Sequence, residues 1–174
     1  MYIGYYKNNK VNIKIEANET EITDISFIQN NSETEEQEKE SQMIKQCKEE
    51  LEKYFRGELK HFKIKYHTQG TEFQEKVWKE LLNVKYGTTI SYKELAKRIG
   101  KPTAIRAVAN AVGKNKIGII IPCHRIIGSN GTLTGYAGGL ENKKYLLDIE
   151  RKVEWKIYLY VIQNVQHAKK QRNG

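Results

Sequence analysis

The stretch GIIIPCHRIIGSNG, residues 118–131, contains a thiol, an imidazole and a guanidinium between apolar neighbours. Three isoleucines lead into Pro122, and Cys123, His124 and Arg125 follow before two more isoleucines. Apolar runs of this kind predict a buried strand. A cysteine next to a histidine in such a strand is a candidate nucleophile with a base nearby.

Cys123 needs a base in order to react, because a free thiol has a pKa near ~8.5 and is mostly protonated at neutral pH. Neighbours in an extended strand point to opposite faces. His124 therefore reaches the thiol only if Pro122 bends the chain or if a water relays the proton. A carboxylate is expected to orient the imidazole, and Asp148 and Glu150 in the last predicted helix are both candidates.

An isolated Cys-His pair has a simpler interpretation, which is a structural cysteine beside a surface histidine. This pair lies behind three isoleucines and a proline, in the basic half of the chain, and after a predicted helix-turn-helix. These features together favour a reactive site.

Composition and charge restrict the class of protein. The chain has 174 residues and a net charge of +9, which suggests one or two small domains. Residues 1–66 hold 11 basic and 13 acidic side chains, whereas residues 67–174 hold 19 and 8. The second part is therefore where a polyanion would bind, although basic surfaces also serve solubility alone.

The sequence shows no membrane or export signal and no metal site. No apolar run approaches the ~18 residues of a spanning helix, and the N-terminus lacks the apolar core of a secretory signal. We therefore expect a cytoplasmic protein with no membrane contact, in which Cys47 and Cys123 are free thiols. The four histidines are scattered without metal-ligand spacing, so we expect no metal and no cofactor.

The first part of the chain predicts a small α/β unit. Apolar and polar residues alternate in VNIKIEA (11–17) and EITDISFI (21–28), which predicts strands. Residues 31–40 form an acidic connection. Residues 41–56 predict an amphipathic helix, and Cys47 lies within its apolar stripe as a buried hydrophobe.

The segment LKHFKIKYHTQG, residues 59–70, is interpreted as an extended linker that contains the domain boundary. We predict an N-terminal domain with linker at 1–66, a second domain at 67–150 and a basic extension at 151–174. The middle of this extension has a β-like composition, and its end is typical of disorder.

The second domain predicts a helix-turn-helix, because two short helices flank Gly100 and Pro102. The first of them opens with a capping-box pattern, Ser91 with Glu94. The glycine-rich GSNGTLTGYAGG that follows the cysteine motif predicts a hairpin or wing, and a final helix is predicted from near Glu141.

The second short helix has three distinct faces. Its predicted core stripe consists of Ile105, Val108 and Val112, and a stripe of small residues with the same spacing consists of Ala104, Ala107 and Ala111. Arg106 and Asn110 lie four apart on a polar edge. An alanine face lets a large partner approach the backbone, but alanine is also the best helix former, so the residues alone leave both interpretations open.

PCHRII at 122–127, with its surroundings, resembles the O6-alkylguanine-DNA alkyltransferases, the methylated-DNA–protein-cysteine methyltransferases. The resemblance extends over nearly the whole chain, in matching order and spacing, through LEKYFRGELKHF, GTEFQEKVWKELL, TTISYKELAKRIGKPTAIRAVANAVGKN and IGIIIPCHRIIGSNGTLTGYAGGLENKKYLLDIE. It implies an α/β plus α fold. A small α/β, ribonuclease H-like N-terminal domain would precede a helical, winged-helix-like DNA-binding domain that carries the cysteine.

The resemblance also implies a function, the direct reversal of O6-alkylguanine damage, with O4-alkylthymine as a second candidate substrate. The alkyl group would pass irreversibly to Cys123 in a single turnover. The partner would be double-stranded DNA, bound through the minor groove with the damaged nucleotide flipped out. The protein would act as a monomer.

Individual roles follow from the matched positions. His124 would act through a water as the base for Cys123, with Glu150 holding the imidazole. Tyr92 would lie by the phosphate and the guanine and donate a proton toward the leaving guanine. Asn115 would brace the turn before the cysteine.

The remaining implied residues contact DNA or the base. Arg106 would fill the gap left by the flipped base, and the other implied DNA contacts are Ala104, Ala107, Asn110, Ala111 and Arg125. The implied substrate pocket consists of Tyr136, Ala137 and Lys143.

The chain also departs from the family. Lys116 and Gly118 replace two prolines, which predicts a looser turn, and Ala137 replaces a serine that in some members can bond the guanine oxygen.

Two other classes of function remain as alternatives. A non-catalytic protein that flips and flags alkylated bases would lack Cys123, and a cysteine hydrolase predicts repeated turnover with a direct Cys-His contact.

Overall fold

The computed structural model describes residues 1–29 and 36–172, with the side chains of 154 and 155 left out. Part of the predicted acidic connection and the last two residues of the chain therefore lie outside the described residues.

The N-terminal half is a three-stranded antiparallel meander covered by one helix. The strands are β1 (Tyr2–Lys7), β2 (Asn12–Ala17) and β3 (Ile22–Phe27), in the order β1-β2-β3. Alternation in β2 turns Ile13 and Ile15 into the core, as the pattern predicts.

Helix α1 (Gln42–Phe55) packs its apolar stripe against β1 and β2. The Ser41 side chain caps its N-terminus, and Gly57 follows its last turn at φ +74, where a side chain would be strained. Cys47 is completely buried in this stripe, which confirms its interpretation as a core residue.

The second half contains α2 (Glu72–Leu81), α3 (Tyr92–Arg98) and α4 (Ile105–Gly113), which pack against one another. The indole N–H of Trp78 donates to the carbonyl of Ala111 at 2.8 Å and fastens α2 to α4. The Ser91 side chain caps the N-terminus of α3. The Glu94 carboxylate, which would accept from the Ser91 backbone N–H in a capping box, pairs with Arg98 instead. The helix-turn-helix is therefore present, with only half of its predicted capping box.

The edge of β3 joins the two halves of the chain. At one end, Ile22 exchanges backbone hydrogen bonds with Lys65 and His67, at 2.9 and 2.8 Å. At the other end, Ile25 donates to the Lys116 carbonyl at 2.8 Å and accepts from the Gly118 N–H at 3.1 Å. A continuous set of buried apolar side chains runs across both halves.

Gly118 fastens the turn after α4 to β3 through its backbone N–H, whereas Lys116 contributes only a carbonyl that a proline would also supply, so the looser turn stays a prediction. A proline at 118 would lack the N–H that donates to Ile25. A Cβ at Gly118 would also lie 2.8 Å from the Ile25 carbonyl oxygen, so the close approach of β3 requires glycine here.

The strand predicted through the cysteine motif is wrong. Residues 118–121 form turns, Cys123–Arg125 form a single 3₁₀ turn, and only β5 (Ile126–Ile127) is extended. β5 pairs in parallel with β4 (Ile90–Ser91). The isoleucine run signals burial, which is common to buried strands and buried turns, and Ile119 even adopts φ +69.

Two further expectations are corrected. The glycine-rich segment 128–139 is an irregular loop closed by a tight turn between Gly128 and Thr132, without a hairpin ladder in this fully described stretch. Ile105 is 38% exposed and lies outside the core, unlike Val108 and Val112.

The C-terminal extension is helical. Helix α5 runs from Leu140 to Arg172, so the β-like composition of residues 157–162 did not determine its conformation. The intrinsic preference of single residues determines conformation only weakly. A helix that has already formed from Leu140 extends more easily than a new element begins. No helix in the described part of the chain is both long and apolar enough to cross a membrane.

Candidate active site

Cys123 lies at the base of a cavity of about 730 Å³, where it is 8% exposed. The 3₁₀ turn begins at this residue, directly after Pro122. The cavity is lined by Tyr92, Ile105, Arg106, Ala109, Val112, Gly113, Asn115, Cys123, Thr134, Gly135, Tyr136 and Ala137. The thiol thus lies behind a mostly apolar opening, and it also borders a smaller cavity beside β3, which is lined by residues such as Ile25, Phe27 and Gly138.

Asn115 holds the turn that carries the thiol. Its Nδ2 donates to the Ile121 carbonyl at 3.0 Å and to Cys123 Sγ at 3.3 Å, while its Oδ1 accepts from the Ile117 N–H at 2.9 Å. These contacts are those expected of a brace between α4 and the cysteine. The same amide supplies a hydrogen-bond donor to the sulfur.

The Cys123 thiol is protonated in the resting protein. Burial raises its pKa above that of a free thiol, and the hydrogen bond from Asn115 and the charge of Lys143 offset this only in part. A buried thiol of this kind needs a base before it can attack an electrophile.

His124 is completely buried, and its Nε2 lies 2.7 Å from Glu150 Oε1. Nε2 therefore carries the proton, since a carboxylate can only accept. Among the described residues, Nδ1 of His124 has no hydrogen-bond partner, and no hydrogen bond joins its ring to the Cys123 thiol. The ring therefore keeps an acceptor lone pair at Nδ1.

Of the two candidate carboxylates, Glu150 is the one that meets the imidazole. Asp148 is partly exposed on α5 and pairs with Lys144 at 2.7 Å. The two residues lie two positions apart on the helix, which turns them to different faces.

Arg125 is buried, so the predicted DNA contact of this residue is wrong. Its Nε and Nη2 each donate to Glu150 at 3.0 Å, and Nη1 donates to the Val84 carbonyl at 2.7 Å. The 3₁₀ turn directs the guanidinium inward, where it is the counterion of the carboxylate.

Glu150 and Arg125 set the charge of this cluster. Burial alone would raise the pKa of Glu150, but the hydrogen bonds and charges of His124 and Arg125 outweigh it and lower the pKa to about 2. Burial lowers the pKa of His124 below its ordinary value of 6.5, against the attraction of Glu150. At neutral pH the imidazole is therefore neutral, and Arg125 keeps the carboxylate ionised.

Lys143 does not line the cavity, so its predicted place in the pocket wall is wrong. It is completely buried, and its Nζ donates to the carbonyls of Ile126 at 2.5 Å and Thr134 at 3.2 Å. Burial lowers the pKa of this lysine. Its contacts tie the glycine-rich loop to the strand that follows the cysteine turn.

The other predicted pocket and DNA residues lie around the opening. Tyr92 at the start of α3 donates to the Thr134 carbonyl at 3.3 Å, and Tyr136 packs edge-on against Phe27, with ring centroids 6.1 Å apart. Ala137 also lines the cavity.

Exposed Arg106 borders this cavity and also a shallow groove beside it. The groove is lined by Thr71, Phe73, Gln74, Thr103, Ala104, Arg106, Ala107, Asn110 and Ala111. The predicted alanine stripe and polar edge therefore face this groove, next to the opening above the thiol.

Tyr54 is part of the site but was not predicted. It lies on α1, is completely buried, and its hydroxyl donates to Glu150 Oε1 at 2.8 Å. In the sequence it occupies an apolar stripe like any core aromatic, and no local pattern indicates a partner 96 residues away.

Comparison with known proteins assigns both halves of the chain. A model of the 6-O-methylguanine DNA methyltransferase ribonuclease-like domain matches residues 1–67, and one of the 6-O-methylguanine DNA methyltransferase DNA-binding domain matches residues 72–152. The fold is therefore that of a DNA-repair methyltransferase with these two domains, and the predicted fold class is confirmed.

Individual relatives of the chain support the same family. A methylated-DNA–protein-cysteine methyltransferase from Methanosarcina acetivorans is 51% identical over 109 residues, which cover 63% of this chain and 70% of the relative. One from Mycobacterium tuberculosis is 52% identical over 103 residues, or 59% of this chain and 62% of the relative. The structure of Mycobacterium tuberculosis OGT in complex with DNA has a TM-score of 0.79 at 37% identity, covering 88% of this chain and 94% of that one.

The chain belongs to the family of methylated-DNA–protein-cysteine methyltransferases, enzymes of DNA repair. The predicted resemblance and the predicted enzyme class are thereby confirmed.

Proposed function

We propose that the protein repairs O6-alkylguanine in duplex DNA by moving the alkyl group irreversibly onto Cys123, once per molecule. The observation that carries this proposal is the arrangement around the thiol. Asn115 braces the thiol at the base of a cavity, and the adjacent imidazole is held by Glu150 with its Nδ1 left as an acceptor.

The chemistry begins with deprotonation. Nδ1 of His124 takes the thiol proton through one bridging water, because no direct hydrogen bond links the two side chains among the described residues. The Asn115 amide donates to the sulfur and stabilises the thiolate as it forms. Glu150 stabilises the imidazolium that results.

Transfer then follows as a displacement at the alkyl carbon. The thiolate forms the new carbon–sulfur bond while the bond from carbon to guanine O6 breaks, and the guanine keeps that electron pair and takes up a proton. Tyr92, which lines the cavity, is the group proposed to donate it. The thioether product has no easy leaving group, so the acceptor is consumed.

Docking on DNA is proposed through the groove next to the cavity. The small side chains of Ala104, Ala107 and Ala111 permit close approach of a DNA backbone, which suits minor-groove binding. Exposed Arg106, at the border of groove and cavity, is proposed to fill the gap in the stack after the nucleotide flips.

The base would enter between Tyr92, Tyr136 and Ala137. O4-alkylthymine is a second proposed substrate. All these groups come from one chain, which supports action as a monomer.

With excess duplex that contains O6-methylguanine, methyl transfer should stop at one methyl group per protein molecule, and Cys123→Ser should accept none. Incorporation of labelled methyl measures this directly. Continued turnover would indicate a hydrolase, and binding of the damaged DNA without any transfer would indicate a protein that only flags the lesion. Either result would overturn the proposal.

A further inference from the structure

Tyr54 connects the N-terminal domain to the buried charges of the site. It belongs to α1, and its hydroxyl oxygen lies 2.8 Å from Glu150 Oε1 and 3.5 Å from Nε2 of His124. Burial raises the pKa of Tyr54 well above its ordinary value, and the Glu150 charge adds to this, so the hydroxyl stays protonated and can donate.

One carboxylate oxygen receives three donors. Glu150 Oε1 accepts from His124 Nε2 at 2.7 Å, from Tyr54 at 2.8 Å and from Arg125 Nη2 at 3.0 Å. The second oxygen accepts from Arg125 Nε at 3.0 Å and from the Gly87 N–H at 3.3 Å. The position of the carboxylate is therefore determined by groups from several elements, and Tyr54 is the one that α1 contributes.

The Tyr54 ring is itself fixed. Its centroid lies 5.4 Å from that of Phe55, 5.5 Å from Phe62 and 6.3 Å from Tyr86. Aromatic packing of this kind limits rotation of the side chain. The hydroxyl is thus presented to Glu150 at a defined point and not as a mobile group.

We propose that Tyr54 is a positioning residue for alkyl transfer, which holds Glu150 and thereby keeps His124 in the tautomer whose Nδ1 receives the thiol proton. Because the Tyr54 proton points to Glu150, its oxygen can only accept from the neighbouring Nε2–H. Glu150 and Tyr54 therefore both favour the tautomer of His124 that has its proton on Nε2. This inference rests on the proposed function and deepens it, since it gives the N-terminal domain a part in the reaction.

The Tyr54 hydroxyl also sets how strongly the imidazole holds a proton. Each donor to Glu150 reduces the attraction of the carboxylate for the imidazolium. Without the hydroxyl, the pKa of His124 should therefore rise. The charged and titratable groups that face this cluster come from α1, the segment after α2, the 3₁₀ turn, the glycine-rich loop and α5. They are Tyr54, Tyr86, Arg125, Tyr136, Lys143 and Glu150.

The test is the single-turnover rate of methyl transfer against pH, for the native protein, Tyr54→Phe and Tyr6→Phe. Tyr54→Phe keeps the ring and removes only the hydroxyl. We expect the acid limb of its profile to shift upward by about 0.5–1 pH unit, so that below this limb transfer is about 3–10-fold slower. Neutral imidazole is required for transfer, and a higher His124 pKa reduces its fraction there.

Tyr6→Phe is the matched control. Tyr6 is also a buried tyrosine, it stacks on the same Phe55 at 5.4 Å, and its hydroxyl donates to a carboxylate, that of Glu52, at 2.6 Å. Glu52 is not part of the site. The control should therefore lose a tyrosine–carboxylate hydrogen bond at a more exposed position and keep the native acid limb. An unshifted limb in Tyr54→Phe, or an equal shift in both variants, overturns the inference.

A second measurement uses the native protein, so it does not depend on how the variants fold. Long-range ¹H–¹⁵N spectra of the histidine side chains should show His124 with its proton on Nε2 and a bare Nδ1 at neutral pH. A proton on Nδ1 would overturn the inference. If the native protein transfers no methyl group at all, the proposed function fails instead, which distinguishes the two failures.

Discussion

Replacing Glu150 by glutamine is expected to slow methyl transfer by about 100-fold and to lower the free energy of unfolding by about 3 kcal/mol. The amide removes the counterion of the buried Arg125 guanidinium, which then remains in the interior without a charge partner. Its N–H₂ group can also donate to Nε2 of His124, which favours the tautomer that blocks Nδ1. Transfer kinetics and denaturant unfolding measure the two effects separately.

The pH dependence of Glu150→Gln should differ in sign from that of Tyr54→Phe. Loss of the negative charge lowers the pKa of His124 further, so the acid limb of transfer should move to lower pH. The native pKa of Glu150 is about 2, below its ordinary value of 4.5, so its stabilising contribution is present above 4.5 and is lost as the pH falls toward 2. Glu150→Gln should not show this loss of stability between pH 4.5 and 2, because its amide does not titrate.

Asp148→Asn is the control for Glu150→Gln, because it makes the same change two positions earlier on α5. Asp148 is partly exposed and forms a surface ion pair with Lys144, so the cost should be no more than about 0.5 kcal/mol, with transfer unchanged. If Asp148→Asn slowed transfer as much as Glu150→Gln, the assignment of the orienting carboxylate would be wrong.

Arg106→Ala should slow methyl transfer from duplex DNA by about 10- to 100-fold while leaving transfer from free O6-benzylguanine nearly unchanged. Flipping a nucleotide costs a few kcal/mol, and a side chain that replaces the base in the stack offsets part of that cost. Each ~1.4 kcal/mol that is lost corresponds to a tenfold slower rate. A free base needs no flipping, so its reaction reports only the thiol and the cavity.

Lys101→Ala provides the comparison for Arg106→Ala, since it removes a positive charge from an exposed residue just before α4. It should weaken DNA affinity at most, and saturating DNA should restore the rate. Equal slowing of Arg106→Ala on both substrates would assign Arg106 to the cavity instead of the stack. If Arg106→Ala reacted with duplex DNA and with free O6-benzylguanine as fast as the native protein, Arg106 would have no part in the mechanism.

Sequence periodicity predicted most of the helices well. The apolar stripe of residues 41–56 and the pair of short helices after Ser91 appear with bounds within a few residues of those expected. Helices of this kind are encoded locally, because residues three and four apart share a face. Ile105 shows the limit, since its spacing matches the core stripe but the cavity leaves it exposed.

The conformation of the cysteine segment could not be predicted in the same way. Its isoleucines indicate burial, yet the 3₁₀ turn depends on contacts with α4 and β3, such as those of Asn115 and Gly118. The inward direction of Arg125 follows from that turn. The segment was therefore predicted as a strand, and nothing in the sequence corrected the DNA contact that the resemblance implied for Arg125.

The site was predicted from its motif but not its full network. Cys123 and His124 are adjacent in the sequence, so the candidate pair was visible. The residues alone left Asp148 and Glu150 equivalent, the resemblance favoured Glu150, and α5 places Glu150 against the imidazole and Asp148 beside Lys144. Tyr54 reaches Glu150 only because the two domains share a core, and such contacts leave no local pattern.

Peptide mapping after one equivalent of O6-methylguanine duplex tests the central claim most directly. Cys47 is completely buried, and burial raises its pKa to about 12, so this thiol should stay unmodified. Cys123, at the base of the cavity beside the histidine–glutamate pair, should carry the methyl group in every molecule that has reacted. A methyl group on Cys47, or reacted DNA with both cysteines unmodified, would contradict the account.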